Sequence, residues 1–288
     1  RAGTLRSLEP LIRHGRGWVR LLDSEDKLLD FSSNDYLALS EHPEVIGASR
    51  KYLEMFGAGA GAARLMSGDL EINHLLEQEI AGLKSREAAL TFGSGYLANI
   101  GIIPALAGRG DLIITDRLSH ASIYDGCLLS GAMTIRFRHN DLAHLEQILQ
   151  EKRSQFNGCL VVVESIYSMD GDRCPLLELV QLKKRFDFML MVDEAHATGV
   201  YGENGAGIIE EDNVNDGVDI AMGTFGKALG SYGAYAASSR EVVDFLVNKA
   251  RTFIYSTALP PAVVGATLAA LYLVKSEPQL RLDLHTKV

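Results

Sequence analysis

The sequence predicts an α/β protein in which a mostly parallel sheet lies between layers of helices. Short apolar runs recur along the chain, and stretches of helical length separate most of them. Two of the runs, 159–163 and 188–192, are apolar throughout instead of alternating with polar residues. Continuous apolar strands are typical of a parallel sheet that is covered on both faces. The strand–helix alternation therefore predicts a doubly wound layer.

The individual elements follow from the same patterns in chain order. The apolar runs predict strands over 88–92, 111–115, 133–137, 159–164, 188–193, 218–223 and 233–238. The stretches around them predict helices over 69–84, 95–107, 119–130, 141–155, 175–186 and 239–251, and an apolar helix from 261. One face of the first helix carries Leu70, Leu75, Leu76, Ile80 and Leu83. For residues 1–45 the sequence predicts an N-terminal extension, in which a helix is followed by short strands around "WVRLL" and "LLDF".

Composition excludes some classes of function. The 288 residues include 28 basic and 37 acidic side chains, for a net charge of −9, and no basic stripe that would suit nucleic acid. Cys127, Cys159 and Cys174 lie in apolar settings without a CxxC pair, which predicts reduced core thiols in a cytoplasmic protein. No signal-peptide pattern is found. The apolar stretch 258–274 is shorter than the about 20 residues that a membrane span needs, so we expect a buried helix.

Polar motifs follow the predicted strands at one end. "GSGYLAN" follows 88–92, "DRLSHAS" follows 111–115, and "SIYSMDGD" follows the run that ends at Glu164. "DEAHATG" and "TFGKALG" follow the next two runs. Because open α/β sheets bind ligands beyond the carboxyl ends of their strands, this clustering predicts one site there.

Lys227 lies among four glycines, and three interpretations are open for it. The glycines Gly223, Gly226, Gly230 and Gly233 could only make a turn, or they could cradle a phosphate beside the lysine. Alternatively, the lysine is a nucleophile and the glycines leave room for a flat cofactor. A helicase interpretation of "DEAH" fails because no Walker A loop is present. The glycine-rich segment 57–63 follows a helical run, so it does not fit a dinucleotide fingerprint.

The histidines outside these motifs have no partners at metal-ligand spacing, and we predict no metal site. They are expected to be surface or hydrogen-bonded residues, and they are His14, His42, His74, His139, His144 and His285.

A phosphorylated aromatic cofactor gives the pieces of the predicted site compatible roles. A buried lysine loses its charge more readily, and a neutral amine can react with an aldehyde. Asp193 could hold a pyridine nitrogen protonated, which makes the ring an electron sink. His120 could stack on the ring, and Thr224 could bond the phosphate. This set of groups describes a site for pyridoxal 5′-phosphate (PLP).

The same motifs resemble those of a known family. "FSSNDYLALS", "GSGYLAN", "DRLSHAS", "ESIYSMDGD", "VDEAHATGVYG", "TFGKALGSYGAY" and "FIYSTALPP" occur in order over nearly the whole chain. In this respect the chain resembles the α-oxoamine synthases, which are PLP enzymes with the aspartate-aminotransferase fold. "TFGKALG" and "RTFIYSTALPP" are most similar to the members that act in biotin synthesis.

The resemblance implies how the site would hold the cofactor. Lys227 would bind PLP covalently and later move protons at the substrate Cα, while Asp193 would pair with the pyridinium nitrogen. His120 would stack on the ring and steer the incoming thioester. The resemblance places His196, Ser168 and Glu164 near the phenolic oxygen, and Gly95, Tyr96 and Thr224 at the phosphate.

The resemblance also implies a homodimer and a substrate site. Ser256 and Thr257 would reach the phosphate of the neighbouring subunit, and Asn34 and Arg6 would lie near the substrate. The implied domains are the extension at 1–45, a PLP-binding large domain at 46–260 and the start of a linker helix at 261–288. A C-terminal small domain, which normally supplies an arginine for the amino-acid carboxylate, is expected to be missing from this chain.

The implied reaction joins L-alanine to a pimeloyl thioester, on coenzyme A or a carrier protein, and releases carbon dioxide and the free thiol. The product is 8-amino-7-oxononanoate. Two alternatives stay open. One is another reaction of the same family, of the glycine C-acetyltransferase, 5-aminolevulinate synthase or serine palmitoyltransferase type. The other is a fragment that binds PLP without turnover.

Overall fold

The computed structural model describes residues 7–15 and 17–288. Within them, three short strands form a small antiparallel sheet, β1 (Leu11–Gly15), β2 (Trp18–Leu21) and β3 (Lys27–Leu29). The helix predicted ahead of the strands is not found in residues 7–15, where β1 lies instead. The reason is local: Gly15 and Gly17 adopt positive φ angles of 78° and 77°, which turn the chain back so that Leu11 pairs with Leu21.

The central sheet contains the predicted strands. Within the described residues its seven strands are β4 (Ala88–Phe92), β5 (Leu112–Asp116), β6 (Met133–Phe137), β7 (Cys159–Glu164), β8 (Met189–Asp193), β9 (Ile220–Thr224) and β10 (Ala234–Ser238). Their spatial order is β4-β10-β9-β8-β7-β5-β6. β10 pairs antiparallel with β4 and β9, whereas the remaining neighbours are parallel. The predicted mostly parallel sheet is confirmed.

Helices cover both faces of this sheet. They are α1 (Pro43–Phe56), α2 (Glu71–Leu83), α3 (Gly95–Leu106), α4 (Ala121–Ser130), α5 (Leu142–Lys152), α6 (Leu176–Arg185), α7 (Ile208–Glu211), α8 (Arg240–Lys249), α9 (Arg251–Ile254), α10 (Pro261–Ser276) and α11 (Gln279–Lys287). All six residues of β7 are buried, as a strand covered on both faces requires. The three cysteines are buried and unpaired.

The helix predicted from residue 261 packs inside the protein. α10 lies against α1 and α2, and its approach to α1 depends on Gly265. A Cβ atom at this position would lie 2.6 Å from Cγ of Tyr52, so any larger residue would force the helices apart. Among the described residues, no helix combines the length and the hydropathy that a membrane span requires. The boundaries of the three predicted domains stay a prediction.

The glycines around Lys227 fit neighbouring parts of the protein. A Cβ atom on Gly223 would lie 2.3 Å from the Tyr235 hydroxyl oxygen, and one on Gly230 would lie 2.2 Å from the Ser40 amide nitrogen. Gly230 and Gly233 also have positive φ angles, of 59° and 109°. Gly223, Gly230 and Gly233 therefore let the segment after β9 turn tightly between β10 and the chain ahead of α1. They do not line the cavity into which Lys227 projects.

Candidate active site

The polar motifs meet in one cavity at the carboxyl edge of the sheet, as the sequence predicts. The cavity has a volume of about 190 Å³. Its walls include eight of the predicted site residues, Gly95, Tyr96, His120, Glu164, Asp193, His196, Thr224 and Lys227, together with Asn99, Ser122, Ala195 and Met222. Parallel strands bring these groups together because all their carboxyl ends lie on the same edge.

Lys227 and His196 form a close pair in the wall of the cavity. Nζ of Lys227 lies 2.7 Å from Nε2 of His196. Burial lowers the pKa of Lys227, although the charges of Asp193 and Glu164 oppose this effect. Burial, followed by the charges of Lys227 and His120, lowers the pKa of His196 to about 4. The imidazole is therefore neutral at neutral pH, and its Nε2 can accept a hydrogen bond from the Lys227 amine.

Tyr36 fixes the other side of the His196 ring. Its hydroxyl oxygen lies 2.7 Å from Nδ1 of His196, and the same hydroxyl donates to Oδ1 of Asn34 over 3.2 Å. Burial raises the pKa of Tyr36, which keeps the phenol protonated and able to donate. Asn34 is exposed. The predicted substrate residue Asn34 thus contacts the site through Tyr36 and His196.

Asp193 is the last residue of β8, and both of its side-chain oxygens accept hydrogen bonds. Oδ2 accepts from Nδ2 of Asn99 over 3.0 Å, and Oδ1 accepts from the backbone N–H of Ala195 over 2.9 Å. Asn99 also donates to Oγ of Ser122 over 2.9 Å. An oxygen pair that only accepts suits a carboxylate. The orientation of Asp193 is therefore set by α3 and by its own turn.

Glu164 is paired with Asp193 across the two neighbouring strands, and its own pKa is raised. Burial, followed by the charge of Asp193, raises the pKa of Glu164 to about 8. Its Oε1 accepts the backbone N–H of His120 over 2.5 Å, which ties the start of α4 to the end of β7. The His120 ring is exposed, and its Nδ1 lies 2.8 Å from Oγ of Ser122. The His120 ring thus lies at the mouth of the cavity. Hydrogen bonds to Glu164 and Ser122 hold the residue in place.

The N-terminus of α3 and Thr224 form a polar corner of the cavity. Ser94 caps the helix by accepting from the Leu97 N–H, and Gly95 is the first helical residue. A Cβ atom on Gly95 would lie 2.6 Å from Cγ2 of Thr224, so only glycine allows this approach. Oγ1 of Thr224 is buried and has no hydrogen-bond partner among the described residues. A helix N-terminus and a free hydroxyl together suit an anion such as phosphate.

Three of the predicted cofactor-binding residues do not line the cavity. Ser168 lies on an exposed turn after β7 and lines a neighbouring cavity of about 280 Å³ with Tyr36 and His196. Ser256 and Thr257 lie beside Arg64 in another small pocket. The position of Ser256 and Thr257 outside the cavity is compatible with their predicted contact to a second subunit, which stays a prediction.

The remaining residues of the substrate prediction lie at or beyond the edge of the site. Asn34 reaches the cavity only through Tyr36, as described above. Arg6 lies outside the described residues. For Tyr96, the predicted phosphate contact is made by its backbone N–H. The Tyr96 hydroxyl instead donates to Oδ2 of Asp125.

Several site residues were not predicted, although all of them except Met222 stand in the quoted motifs. They are Tyr36, Asn99, Ser122, Ala195 and Met222. Asn99 follows Gly95 by four residues, which places both on one side of a helix. That spacing could have identified Asn99. Tyr36 and His196 are 160 residues apart in the chain, and no local pattern joins them.

Comparisons with known proteins identify the family of this chain. The family model described as "Aminotransferase class I and II" matches residues 26–285. An 8-amino-7-oxononanoate synthase from Geotalea daltonii is 53% identical over 276 residues, which are 96% of this chain and 70% of that protein.

Two solved structures have the same fold. A variant serine palmitoyltransferase from S. paucimobilis with bound PLP has a TM-score of 0.91 at 31% identity, over 96% of this chain and 70% of that one. An 8-amino-7-oxononanoate synthase from Francisella tularensis has a TM-score of 0.77 at 30% identity, over 90% and 72% of the two chains. The chain therefore belongs to the class I and II aminotransferase family and, within it, to the 8-amino-7-oxononanoate synthases.

Proposed function

We propose that this chain condenses L-alanine with a pimeloyl thioester and releases carbon dioxide, the free thiol and 8-amino-7-oxononanoate, for biotin synthesis. The observation that carries the proposal is the pairing of Lys227 Nζ with His196 Nε2 at 2.7 Å, in a cavity that also holds Asp193. The identity of 53% to a synthase of this name supports the choice of reaction. Coenzyme A or a carrier protein would present the acyl group.

The residues of the cavity fit PLP. The N-terminus of α3 and the Thr224 hydroxyl form a corner for its phosphate, and this hydroxyl has no hydrogen-bond partner among the described residues. Lys227 lies in the same cavity as an amine for its aldehyde. Asp193, held as an acceptor by Asn99, would keep the pyridine nitrogen protonated. When bound, PLP supplies an electron sink that lets the alanine Cα lose a proton and the condensed product lose its carboxylate.

The chain's own residues then hold and move protons. Lys227 Nζ takes the proton from Cα of alanine and later returns one to the product carbon. The lowered pKa of this amine makes the neutral, proton-accepting form more available. His196 is neutral and can hold a hydrogen bond to Lys227 without adding a positive charge to the cavity. His120 covers the mouth of the cavity, where it would orient the thioester and exclude water.

A homodimer and a cytoplasmic location complete the proposal. The position of Ser256 and Thr257 outside the cavity supports a role toward a second subunit. Sedimentation equilibrium of the PLP-loaded chain would test the dimer. Three buried, unpaired cysteines support a reducing compartment.

The test of the reaction is the release of labelled carbon dioxide from carboxyl-labelled L-alanine in the presence of PLP and pimeloyl-CoA. We expect release that needs all three components and is lost in Lys227→Ala. Glycine and serine with acetyl-, succinyl- and palmitoyl-CoA test the other reactions of the family. Release with one of these pairs but not with alanine would contradict the proposal, and PLP binding without any release would identify a non-catalytic protein.

A further inference from the structure

His139, outside the cavity, bridges two carboxylates at the same edge of the sheet. Its Nδ1 lies 2.9 Å from Oδ1 of Asp116, and its Nε2 lies 2.7 Å from Oδ2 of Asp172. The carboxylate oxygens accept, so both ring nitrogens donate, which imidazole does only in its protonated form. Burial opposes the charge, but the hydrogen bonds to Asp116 and Asp172 outweigh it and raise the pKa of His139.

The bridge joins the loops that follow three neighbouring strands. Asp116 is the last residue of β5, at the start of the loop that leads to His120, and it is fully buried. His139 follows β6, and the next residue, Asn140, gives its backbone N–H to Oδ2 of Asp116 over 2.8 Å. Asp172 belongs to the turn after β7, and its Oδ2 also accepts from the Asn140 side chain over 2.7 Å.

The turn after β7, residues 165–173, is the part that this bridge anchors. Ile166 pairs with Arg173 at its base, and the Tyr167 N–H donates to the Asp172 carbonyl oxygen over 3.0 Å. The Tyr167 ring stands edge-on to His139, with ring centroids 4.6 Å apart. The tip of the turn is exposed and carries Ser168. Fixing Asp172 therefore fixes where Ser168 stands.

Ser168 faces the cavity that it shares with Tyr36 and His196. His196 contacts Lys227 directly, so a displacement of the turn changes the surroundings of the reacting amine. We propose that His139, held as an imidazolium, is a positioning residue that keeps the 165–173 turn and its Ser168 beside His196 for amino-acid binding. This inference rests on the proposed function for its effect on substrate, and on geometry alone for the state of His139.

The surroundings of His139 determine the sign of its pH dependence. The titratable and charged groups that face it are Asp116 from β5, Tyr167, Asp170 and Asp172 from the turn, and Arg138 from its own segment, which pairs with Asp141. A raised pKa means that the stabilising contribution is complete below the unfolded value near 6.5. It is lost as the pH rises through the folded value. The turn therefore loosens on the alkaline side.

The first test measures the ring nitrogens of His139 by ¹⁵N NMR on the full chain loaded with PLP. We expect two protonated nitrogens at pH 7.5, where an ordinary histidine is neutral. Hydrogen exchange of residues 166–172 should then accelerate, beyond the intrinsic effect of pH, as His139 loses its proton. A ring with one protonated nitrogen at pH 7.5 would overturn the inference, whatever the enzyme's activity.

The second test compares His139→Gln with His74→Gln. His74 is a matched control because its Nε2 also bonds a carboxylate, Asp69, over 2.8 Å, but its side chain is 58% exposed and lies away from the turn. We expect His139→Gln to raise exchange of 166–172 and the KM for alanine by about tenfold, with a smaller change in kcat. The control should change neither quantity.

A further variant covers the case in which His139→Gln does not fold. Asp172→Asn removes one of the two charges at a side chain that is 40% exposed, and it should raise exchange of the turn in the same way. Unchanged exchange in a folded Asp172→Asn or His139→Gln protein would refute the positioning role. If the wild-type chain releases no carbon dioxide from alanine, the proposed function fails, while the NMR and exchange results still decide the state of His139.

Discussion

The buried ion pair between Lys84 and Glu194 gives the sharpest prediction about stability. Nζ of Lys84 donates to Oε2 of Glu194 over 2.7 Å, to Oγ1 of Thr198 over 3.0 Å and to the carbonyl oxygen of Ala206. The two charged side chains are 2% and 0% exposed. Glu194 stands between Asp193 and Ala195, so this pair also supports the turn that carries the active-site carboxylate.

Replacing Lys84 by Met removes the positive charge and leaves the Glu194 carboxylate in a dry interior. Breaking a buried pair in this way costs about 3–5 kcal/mol, which is a large part of the about 5–15 kcal/mol that stabilises a whole domain. Oε1 of Glu194 keeps its hydrogen bond from the Ile209 N–H, so the carboxylate is not entirely unsatisfied. We therefore expect the lower half of this range.

The assay is the free energy of unfolding from urea denaturation, with Lys275→Met as the matched control. Lys275 and Glu79 also lie 2.7 Å apart, but their side chains are 36% and 45% exposed. A surface pair of this kind contributes at most about 1 kcal/mol. Lys84→Met with Glu194→Gln removes the stranded charge and should regain about 2 kcal/mol. If Lys84→Met and Lys275→Met lowered the free energy of unfolding by the same amount, the buried pair would contribute no more than the surface pair, contrary to this prediction.

Three further predictions concern the cavity. Thr224→Val should weaken PLP binding by about 10- to 100-fold in a spectroscopic titration, because a hydrogen bond to a charged group is lost. Stability should stay unchanged, since the hydroxyl has no partner in the part of the chain that the structure describes, and normal affinity would contradict its phosphate role. Tyr36→Phe frees Nδ1 of His196 and should lower turnover of alanine about fivefold, so unchanged turnover would argue against that contact. Asp193→Asn should lower kcat by at least about 100-fold, whereas wild-type kcat would exclude it as the pyridinium partner.

The sheet was predictable because each of its strands is encoded by a short, continuous stretch of the sequence. Each strand of the central sheet is a short apolar run, and β7 is buried along its whole length as its unbroken apolar sequence indicates. In the N-terminal sheet, β2 and β3 lie where short strands were predicted, whereas β1 was not predicted, because the turn that pairs it with β2 depends on the positive φ angles of Gly15 and Gly17 rather than on apolar periodicity. Turn conformation of this kind overrides a weak helical pattern.

The site was predictable where one motif follows one strand, and less so where two distant segments meet. The strand ends correctly indicated Asp193 and Lys227 as neighbours in one cavity. The pairing of Tyr36 with His196 and that of Lys84 with Glu194 span 160 and 110 residues. His139 was expected to be a surface or hydrogen-bonded residue and is hydrogen-bonded, but its two carboxylate partners come from different loops, which its sequence neighbours do not reveal.

The central claim is that Lys227 is the residue that binds the cofactor. The most direct measurement is to load the chain with PLP, reduce it with borohydride, digest it and locate the added mass by peptide sequencing in a mass spectrometer. We expect the mass to lie on Lys227 alone, and we expect Lys227→Ala to give no labelled peptide and no visible absorption band. Label on another lysine, such as the buried Lys84, or a band that persists in Lys227→Ala, would contradict it.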